Sequence, residues 1–247
     1  MSFPRTRPAP FFDEARPVLI RTVVETRSTN DDVLALGREG AAEGLWVRAE
    51  RQTGGRGRQG REWRSPPGNF YASTLVRLHS EDPPAATLAL VAAVALHEAA
   101  SVFVPGHRLT IKWPNDLLHE GSKLAGVLLE RAESMVVIGT GVNLADHPQD
   151  LERPATSLAA LTGSAPESGL VLETLVDSFA RWLGRWRGEG PASIRSAWLA
   201  AAHPVGTALS TSIGNGLFEG LDETGALRLR LADGSCHVIH AGDVFLL

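Results

Sequence analysis

The sequence contains only two lysines, Lys112 and Lys123, which lie eleven residues apart, and all its other basic residues except histidine are arginine. Lysine carries a compact ammonium with three donors, whereas arginine carries a wide planar guanidinium that never deprotonates. A small pocket around a carboxylate or a phosphate would require the first and reject the second. Codon bias with two chance survivors explains the counts equally well, so the neighbouring residues have to decide between these interpretations.

A glycine- and arginine-rich segment, residues 51–69, precedes the lysines and is unsuited to regular structure. Within it, residues 55–60 read G-R-G-R-Q-G and match the dinucleotide fingerprint G-x-G-x-x-G. That fingerprint requires a helix directly after the glycines, which the Pro-Pro-Gly run at 66–68 forbids. Three arginines supply fixed positive charge: Arg56, Arg58 and Arg61. A loop that closes around a phosphate or carboxylate fits this segment. A plain solvated linker, or an RGG-like segment that touches RNA without specificity, fits it equally well.

The two lysines flank a predicted hairpin, I-K-W-P-N-D-L-L-H-E-G-S-K-L-A-G-V-L-L-E at 111–130. Its first strand stops at Pro114, so that Asn115 and Asp116 fall in a turn, and Lys123 returns near the start of the hairpin. Polar groups of both signs at the mouth of an apolar hairpin are typical of a site built on rigid elements. An ordinary hairpin with polar surface residues has similar weight.

Two further motifs carry weaker signals. Residues 138–144, I-G-T-G-V-N-L, form an apolar strand interrupted by two glycines and ending near Asn143. Glycines inside a strand indicate close approach by a ligand or another backbone, and a plain bulge is as compatible. The run S-T-N at 28–30 is explained by a helix cap, although a helix N-terminus also offers amides to a polar ligand.

Hydrophobic patterning predicts the elements that position these motifs. Strands are expected over 18–24, 44–50, 70–77, 109–113, 116–119, 123–131 and 135–142, and helices over about 29–39, 85–104, 170–186 and 194–202. After His203 short β runs recur at 217–221, 226–231, 236–240 and 244–247, a spacing typical of a small barrel. We therefore predict an α+β fold with a larger domain over 1–202 and a small β domain over 203–247.

Composition restricts the classes of function. The 247 residues carry a formal net charge of −4, so the molecule offers nucleic acid no general basic field and any polyanion site must be local. The single cysteine, Cys236, excludes an internal disulfide and fits a reducing compartment. The N-terminal residues do not resemble a signal peptide, and the longest apolar stretch, 85–96, is too short for a membrane span. The sequence predicts a cytoplasmic protein.

Taken together and in this order, the motifs resemble the biotin protein ligases, the biotin–[acetyl-CoA-carboxylase] ligase family. The matching pieces are S-T-N at 28–30, Q-T-G-G-R-G-R-Q-G-R-E-W at 52–63, K-W-P-N-D-L at 112–117, K-L-A-G at 123–126, I-G-T-G-V-N at 138–143, A-T-S-L at 155–158, G-L-D-E-T-G-A-L at 220–227 and H-A-G-D-V at 240–244. The resemblance implies a biotin/lipoate ligase-like catalytic domain, with a mixed β-sheet flanked by helices, followed by an SH3-like barrel. It also implies that biotin and Mg-ATP give biotinyl-5′-AMP and pyrophosphate, and that biotin then passes to a lysine of the biotin carboxyl carrier protein of acetyl-CoA carboxylase.

The resemblance also implies roles for individual residues. The biotin-binding residues would be Ser28, Thr29, Asn30, Gln52, Gly55, Arg56, Gly57, Arg58, Lys123 and Gly126. The nucleotide would be surrounded by Arg58, Arg61, Trp63, Lys112, Asn115, Asp116 and Asn143. Lys123 and Arg58 would be catalytic, with Lys123 on the biotin carboxylate, and Asp116 is the candidate to influence Mg²⁺. The task of Lys112, pocket structure or phosphate contact, stays open.

The sequence leaves several partners and rivals to test. Some family members carry an N-terminal helix-turn-helix of roughly 60 residues; about 17 residues precede the first predicted strand here, so we expect no repressor role on DNA. A homodimer is possible. The nearest rival is a ligase or transferase for lipoate or octanoate, although Cys236 in the small β domain disfavours thiol-based octanoyl transfer. A non-catalytic RNA binder is disfavoured by the net acidity.

Overall fold

The computed structural model describes residues 18–150 and 153–247. Its N-terminal part contains β1 (Leu19–Thr26), α1 (Thr29–Arg38), β2 (Leu45–Gln52), β3 (Phe70–Arg77), α2 (Leu88–Ser101), β4 (Leu109–Lys112), β5 (Asp116–His119), β6 (Ser122–Ala132), β7 (Met135–Val142), α3 (Leu158–Thr162), α4 (Ser168–Glu189) and α5 (Pro191–Ala201). Its C-terminal part contains β8 (Ala208–Thr211), β9 (Gly214–Leu221), β10 (Leu227–Leu231), β11 (Cys236–Ile239) and β12 (Val244–Leu246). Short 3₁₀ turns at Arg58–Gly60 and Ala85–Thr87 complete the described elements.

The seven N-terminal strands form one sheet in the order β1-β2-β3-β7-β6-β5-β4. β1 and β2 pair in parallel, and every other neighbouring pair in this sheet is antiparallel. A parallel pair needs a crossover, which α1 supplies between β1 and β2. The predicted mixed sheet flanked by helices is therefore confirmed.

Helices cover both faces of this sheet because its central strands are apolar on both sides. Along β2, Trp46 packs with the helices α2 and α4, while Leu45 and Val47 pack under α1. The Trp46 and Phe179 rings meet edge to face with their centroids 5.7 Å apart. Trp186, at the end of the aromatic stripe on α4, is fully buried. The stripe belongs to the core, as its helical spacing predicts.

The five C-terminal strands form a separate antiparallel sheet in the order β11-β10-β9-β8-β12. Its buried side chains belong to the same apolar cluster as α2, α4 and α5. The Trp113 indole donates to the carbonyl of Gly225, 3.0 Å away, and joins the two parts of the chain directly. The predicted small β domain is confirmed as a fold, while its boundary at 203, between α5 and β8, stays a prediction.

The structure differs from the predicted elements at several places. The strand β8 and the short helix α3 were not predicted. The helix α2 begins three residues after its predicted start, and β9 and α5 each begin three residues before theirs. The helix α4 begins two residues before the predicted start and ends at Glu189, three residues beyond the predicted end. Gly190, at a φ of 79°, then turns the chain and Pro191 begins α5. In the part of the chain that the structure describes, no helix is both long and apolar enough to cross a membrane.

Candidate active site

The predicted site residues meet around one cavity of about 820 Å³. The residues from the sequence motifs that line it are Ser28, Thr29, Asn30, Gln52, Arg56, Gly57, Arg58, Arg61, Trp63, Lys112, Asn115, Asp116, Lys123, Gly126 and Asn143. Gly55 lies outside the lining and packs instead on the far side of its loop, where a methyl group would lie 2.5 Å from Ser65 Oγ. The structure therefore brings together every predicted site residue except Gly55.

A row of paired residues across the sheet explains why separate motifs converge. Lys112 pairs with Asp116 across β4 and β5, Asp116 with Gly126 across β5 and β6, and Gly126 with Gly141 across β6 and β7. The two glycines leave the middle of this row without side chains. The indole of Trp63 fills that space, since a methyl group at Gly141 would lie 2.6 Å from its Cε2 atom. The glycines thus make room for a side chain of the glycine-rich segment.

The cavity is positively charged in an acidic chain. Among the described residues that line it, seven are arginine or lysine and three are aspartate or glutamate, although the chain as a whole has a net charge of −4. Fixed cations in a partly closed site attract anions far more strongly than the same charges do in water. This distribution agrees with the expectation that any site for a polyanion is local.

One end of the cavity has a hydrogen-bonded polar floor. Gln52 Oε1 accepts from the Thr29 backbone N–H at 2.9 Å and from its hydroxyl at 3.2 Å. The Thr29 hydroxyl also contacts the Ser73 hydroxyl at 2.7 Å, and Ser73 donates to Asn30 Oδ1 at 2.6 Å. Ser73 is fully buried on β3 and was not predicted, because a serine within an apolar strand gives no signal of its own.

The S-T-N motif does more than cap α1. Ser28 occupies the N-cap position with an extended backbone, but its side chain makes no capping hydrogen bond. The cap interpretation is therefore incomplete. Ser28 lines the cavity and is buried, and its hydroxyl is not used by the helix cap.

The two glycines of β7 do not mark a bulge. The strand pairs without a register shift to β3 on one side and β6 on the other. A methyl group at Gly139 would overlap Asn30 Oδ1. The groups that approach Gly139 and Gly141 are the side chains of Asn30 and Trp63. The bulge interpretation was wrong, and the close approach comes from side chains rather than from another backbone.

The glycine-rich segment folds into a tight loop over the cavity. Gly57 N–H donates to Arg61 O at 2.7 Å, and Trp63 N–H donates to Gly55 O at 2.9 Å. The strand β3 follows this loop, and no dinucleotide-binding helix does, as predicted. From the loop, Arg58 donates to the carbonyl of Gly242 at 3.2 Å, and Arg61 forms an ion pair with Asp243.

Both lysines of the chain share one carboxylate. Lys123 Nζ lies 2.5 Å from Asp116 Oδ1, and Lys112 Nζ lies 3.1 Å from Asp116 Oδ2. Lys112 also donates to the carbonyl of Val244 at 3.1 Å, so it connects the hairpin to β12. The β5–β6 register shifts at Leu124, directly after Lys123, because Leu117 pairs with Ala125 and Leu118 pairs with Lys123; bulges of this kind re-aim side chains.

The electrostatics of this lysine pair keep Asp116 ionised. Burial raises the pKa of the Asp116 carboxyl, but the ammonium groups of Lys123 and Lys112 outweigh it and hold that pKa below its usual range. The ammonium of Lys123, 2.5 Å from Asp116 Oδ1, satisfies that buried oxygen. Burial lowers the pKa of the Arg58 guanidinium.

Trp63 offers a free polar group at the same place. Its buried Nε1–H has no acceptor in the described part of the chain, and Lys123 Nζ lies 5.3 Å from its ring centroid. A buried donor without a partner costs free energy until something accepts from it. Trp63 Nε1 is therefore a position where a ligand or a bound water that accepts a hydrogen bond would be stabilised.

The two predicted asparagines use their side-chain amides to hold backbone. Asn143 Nδ2 donates to Thr156 O at 3.0 Å and Asn115 Nδ2 donates to Val127 O at 2.6 Å. Asn69, which was not predicted, accepts the backbone N–H groups of the three residues that follow Asn143, at 2.9 to 3.0 Å. These amides fix the shape of the cavity wall beside Lys123.

Sequence reasoning assigned no role to part of the cavity lining. The residues without a predicted role include Arg153, Pro154 and Ala155 after the glycine-containing strand, and Asp243, Val244, Phe245 and Leu246 at the end of the small domain. The guanidinium of Arg153 stacks on the Phe245 ring at 3.4 Å. The H-A-G-D-V run at 240–244 was the available signal, but no role followed from it.

Both parts of the chain match domains of known ligases. Residues 23–143 match the Biotin/lipoate A/B protein ligase family, and residues 208–247 match the Biotin protein ligase C terminal domain. A solved structure of the biotin protein ligase from Aquifex aeolicus in complex with biotin and ATP has the same fold, with a TM-score of 0.82 over 93% of this chain and 99% of that chain at 24% identity.

Named relatives identify the kind of ligase. A biotin–[acetyl-CoA-carboxylase] ligase of Paracoccus denitrificans is 41% identical over 238 residues, which cover 90% of this chain and 98% of that protein. A ligase of the same name from Mycobacterium tuberculosis is 33% identical over 90% of this chain and 86% of its own length. The chain belongs to the biotin protein ligase family. The resemblance inferred from the motifs is confirmed, and the lipoate and RNA-binding rivals are not supported.

Proposed function

We propose that the chain attaches biotin to the acceptor lysine of the biotin carboxyl carrier protein of acetyl-CoA carboxylase, using ATP. The relatives named above carry this activity in their names. The observation that carries the proposal is the pair of lysines on Asp116, placed between a polar floor and a group of arginines in one cavity.

The first step brings two anions together. A carboxylate oxygen of biotin attacks the α-phosphorus of ATP, the bond from that phosphorus to the bridging oxygen breaks, and pyrophosphate leaves with the bonding electrons. Two anions reach attack distance only where fixed cations offset their repulsion and water is excluded. Lys123, in the middle of the cavity, and Arg58, in the loop above it, are placed for this task.

The polar floor suits the head group of biotin. A ureido ring presents one carbonyl oxygen and two N–H groups, and therefore needs both donors and acceptors. Ser28, Thr29, Asn30 and Gln52 offer hydroxyl and amide groups of both kinds at this end of the cavity. With the head group there, the valeryl chain of biotin would extend toward Lys123, and Trp63 would form an apolar wall.

The opposite end suits the nucleotide. Arg61 and Arg153 line it, and their guanidinium groups match a triphosphate. Lys112 also lines the cavity, but its ammonium is held by Asp116 and by the Val244 carbonyl. Asp116 is the candidate for a supporting role toward Mg²⁺, because Mg²⁺ is commonly held by one or two carboxylates together with substrate phosphates and the Asp116 carboxylate lines this cavity. When bound, Mg²⁺ supplies charge neutralisation of the phosphates.

The second step transfers the acyl group. The neutral ε-amine of the carrier lysine attacks the acyl carbon, the bond to the phosphate oxygen breaks, AMP leaves, and the amine loses a proton. The mixed anhydride must survive until the carrier binds. The glycine-rich loop, closed by Arg58 on Gly242 and by Arg61 on Asp243, keeps water from it.

A labelled-nucleotide assay tests the whole proposal. The chain is incubated with α-labelled ATP and biotin, lipoate or octanoate, and then with a biotin carrier domain. We expect an acyl-adenylate with biotin and biotinylation of the carrier after it. Product with lipoate alone would overturn the substrate assignment. The homodimer, the lack of a DNA-binding role and the cytoplasmic location stay predictions.

A further inference from the structure

The arginine at the start of the glycine-rich loop does not present a free charge to the cavity. The Arg56 guanidinium is held by carboxylates from two different elements. It donates to both oxygens of Asp31, on α1, at 3.0 and 2.5 Å, and to Glu130 Oε1, on β6, at 3.1 and 3.3 Å. The two negative charges offset its single positive charge. Arg56 therefore anchors the loop rather than neutralising an anion.

Glu130 connects that anchor to the polar floor. Its second oxygen accepts from Asn30 Nδ2 at 2.6 Å, while Asn30 Oδ1 accepts from Ser73. Asn30 is thus held at both ends, and Gly139 leaves it the necessary room. One carboxylate joins the loop above the cavity to the amide below it, and no sequence motif assigned it a role.

An isolated ion pair at this exposure would carry little weight. The side chains of Arg56, Asp31 and Glu130 are 30%, 41% and 35% exposed, and exposed pairs contribute about 0–1 kcal/mol. The arrangement differs from an isolated pair because the guanidinium is bidentate on Asp31 and Glu130 also accepts a hydrogen bond from Asn30. Bidentate and networked contacts fix geometry, and geometry is what a closing loop requires.

We propose that Glu130 is a positioning residue, which holds the glycine-rich loop closed through Arg56 and orients Asn30 toward the head group of biotin. The part that concerns biotin rests on the proposed function. The part that concerns the loop does not, and the two are measured separately.

Glu130→Gln is the first variant, since it keeps the shape of the side chain and removes its charge. Glu189→Gln is the control, because Glu189 pairs with Arg185 in a somewhat more exposed contact on α4, and neither residue lines the cavity. Without ligand, we expect trypsin to cleave after Arg58 about tenfold faster in Glu130→Gln, as one charge-assisted bond is lost. The control should cleave at the wild-type rate, and both variants should melt like the wild type.

The kinetic expectation separates positioning from general damage. Glu130→Gln should raise the KM for biotin about tenfold and change kcat much less, because it loosens a ground-state contact. Asp31→Asn should release the loop to trypsin but shift the KM less, since Asp31 makes no contact with Asn30 among the described hydrogen bonds. This second variant keeps the loop claim testable if Glu130→Gln folds poorly.

A double-mutant cycle decides whether Glu130 acts through Arg56. On an Arg56→Gln background, Glu130→Gln should accelerate tryptic cleavage no further. Additive effects would refute the anchor, and so would a Glu130→Gln variant that matches Glu189→Gln in both cleavage and KM. A protein that makes no biotinyl-adenylate but still loses loop protection would sink the proposed function and leave the anchor intact.

Discussion

Replacing the two lysines one at a time should separate a chemical role from a structural one. The Lys123 side chain is about one-third exposed, and its ammonium pairs with Asp116. Lys112 is buried, and its ammonium bonds to both Asp116 and the Val244 carbonyl. We expect Lys123→Met to abolish most adenylation with little change in stability. Lys112→Met should lower the stability and leave most of the adenylation activity.

The magnitudes follow from these contacts. Loss of one preorganised donor costs about 2.7–4 kcal/mol of barrier, so Lys123→Met should slow adenylation about 10²–10³-fold. Asp116 keeps its bond to Lys112 in that variant, so unfolding should become easier by only about 1 kcal/mol. Lys112→Met leaves the Val244 carbonyl without its donor and should cost about 2–3 kcal/mol. For a chain of this size that corresponds to a Tm lower by roughly 4–12 °C.

Two measurements on each variant check this reasoning. Biotin-dependent release of labelled pyrophosphate gives the adenylation rate, and calorimetry gives Tm. A structural role for Lys112 is refuted if Lys112→Met keeps the wild-type Tm and loses adenylation a hundredfold, because Lys112 would then act on the phosphates. A chemical role for Lys123 is refuted if Lys123→Met adenylates biotin at a near wild-type rate.

Two further predictions concern the cavity. Gly139→Ala should displace Asn30 and weaken biotin binding more than tenfold, as measured by calorimetric titration. Gly184→Ala is the control, because a methyl group there meets nothing within 4 Å inside α4; it should bind biotin normally and gain about 0.5–1 kcal/mol of stability. Equal biotin affinities in the two variants would contradict the close approach of Asn30 to Gly139. The pKa of Asp116 is lower in the folded state than in the unfolded chain, so its contribution to stability is complete above about pH 3.9 and disappears as the pH falls through the folded pKa. Denaturant titrations should therefore show the wild type losing more stability than Asp116→Asn below about pH 4. Parallel curves of unfolding free energy against pH for the two proteins would show that the ion pairs of Asp116 do not stabilise the fold.

The sequence predicted the parts of this protein in which the information is local. The strands and helices with sustained periodicity were correct, and the motifs identified most of the cavity lining. The residues that were missed contact predicted ones across long separations in sequence. Glu130 lies 100 residues from its partner Asn30, and Gly242 lies 184 residues from its partner Arg58. Nothing near Glu130 or Ser73 in the sequence distinguishes them from other polar residues in strands. Their partners become visible only once the sheet has placed them side by side.

The continuous apolar core between the two sheets has a consequence for how substrates enter. Side chains of the small domain, including Leu227, Leu229 and Val244, belong to the same buried cluster as α2, α4 and α5. A large apolar interface of this kind does not hinge. The small domain is therefore a fixed wall of the cavity. The glycine-rich loop is joined to that wall only through side chains, by Arg58 on the Gly242 carbonyl and by Arg61 on Asp243, so we expect the loop rather than the small domain to move when substrates enter.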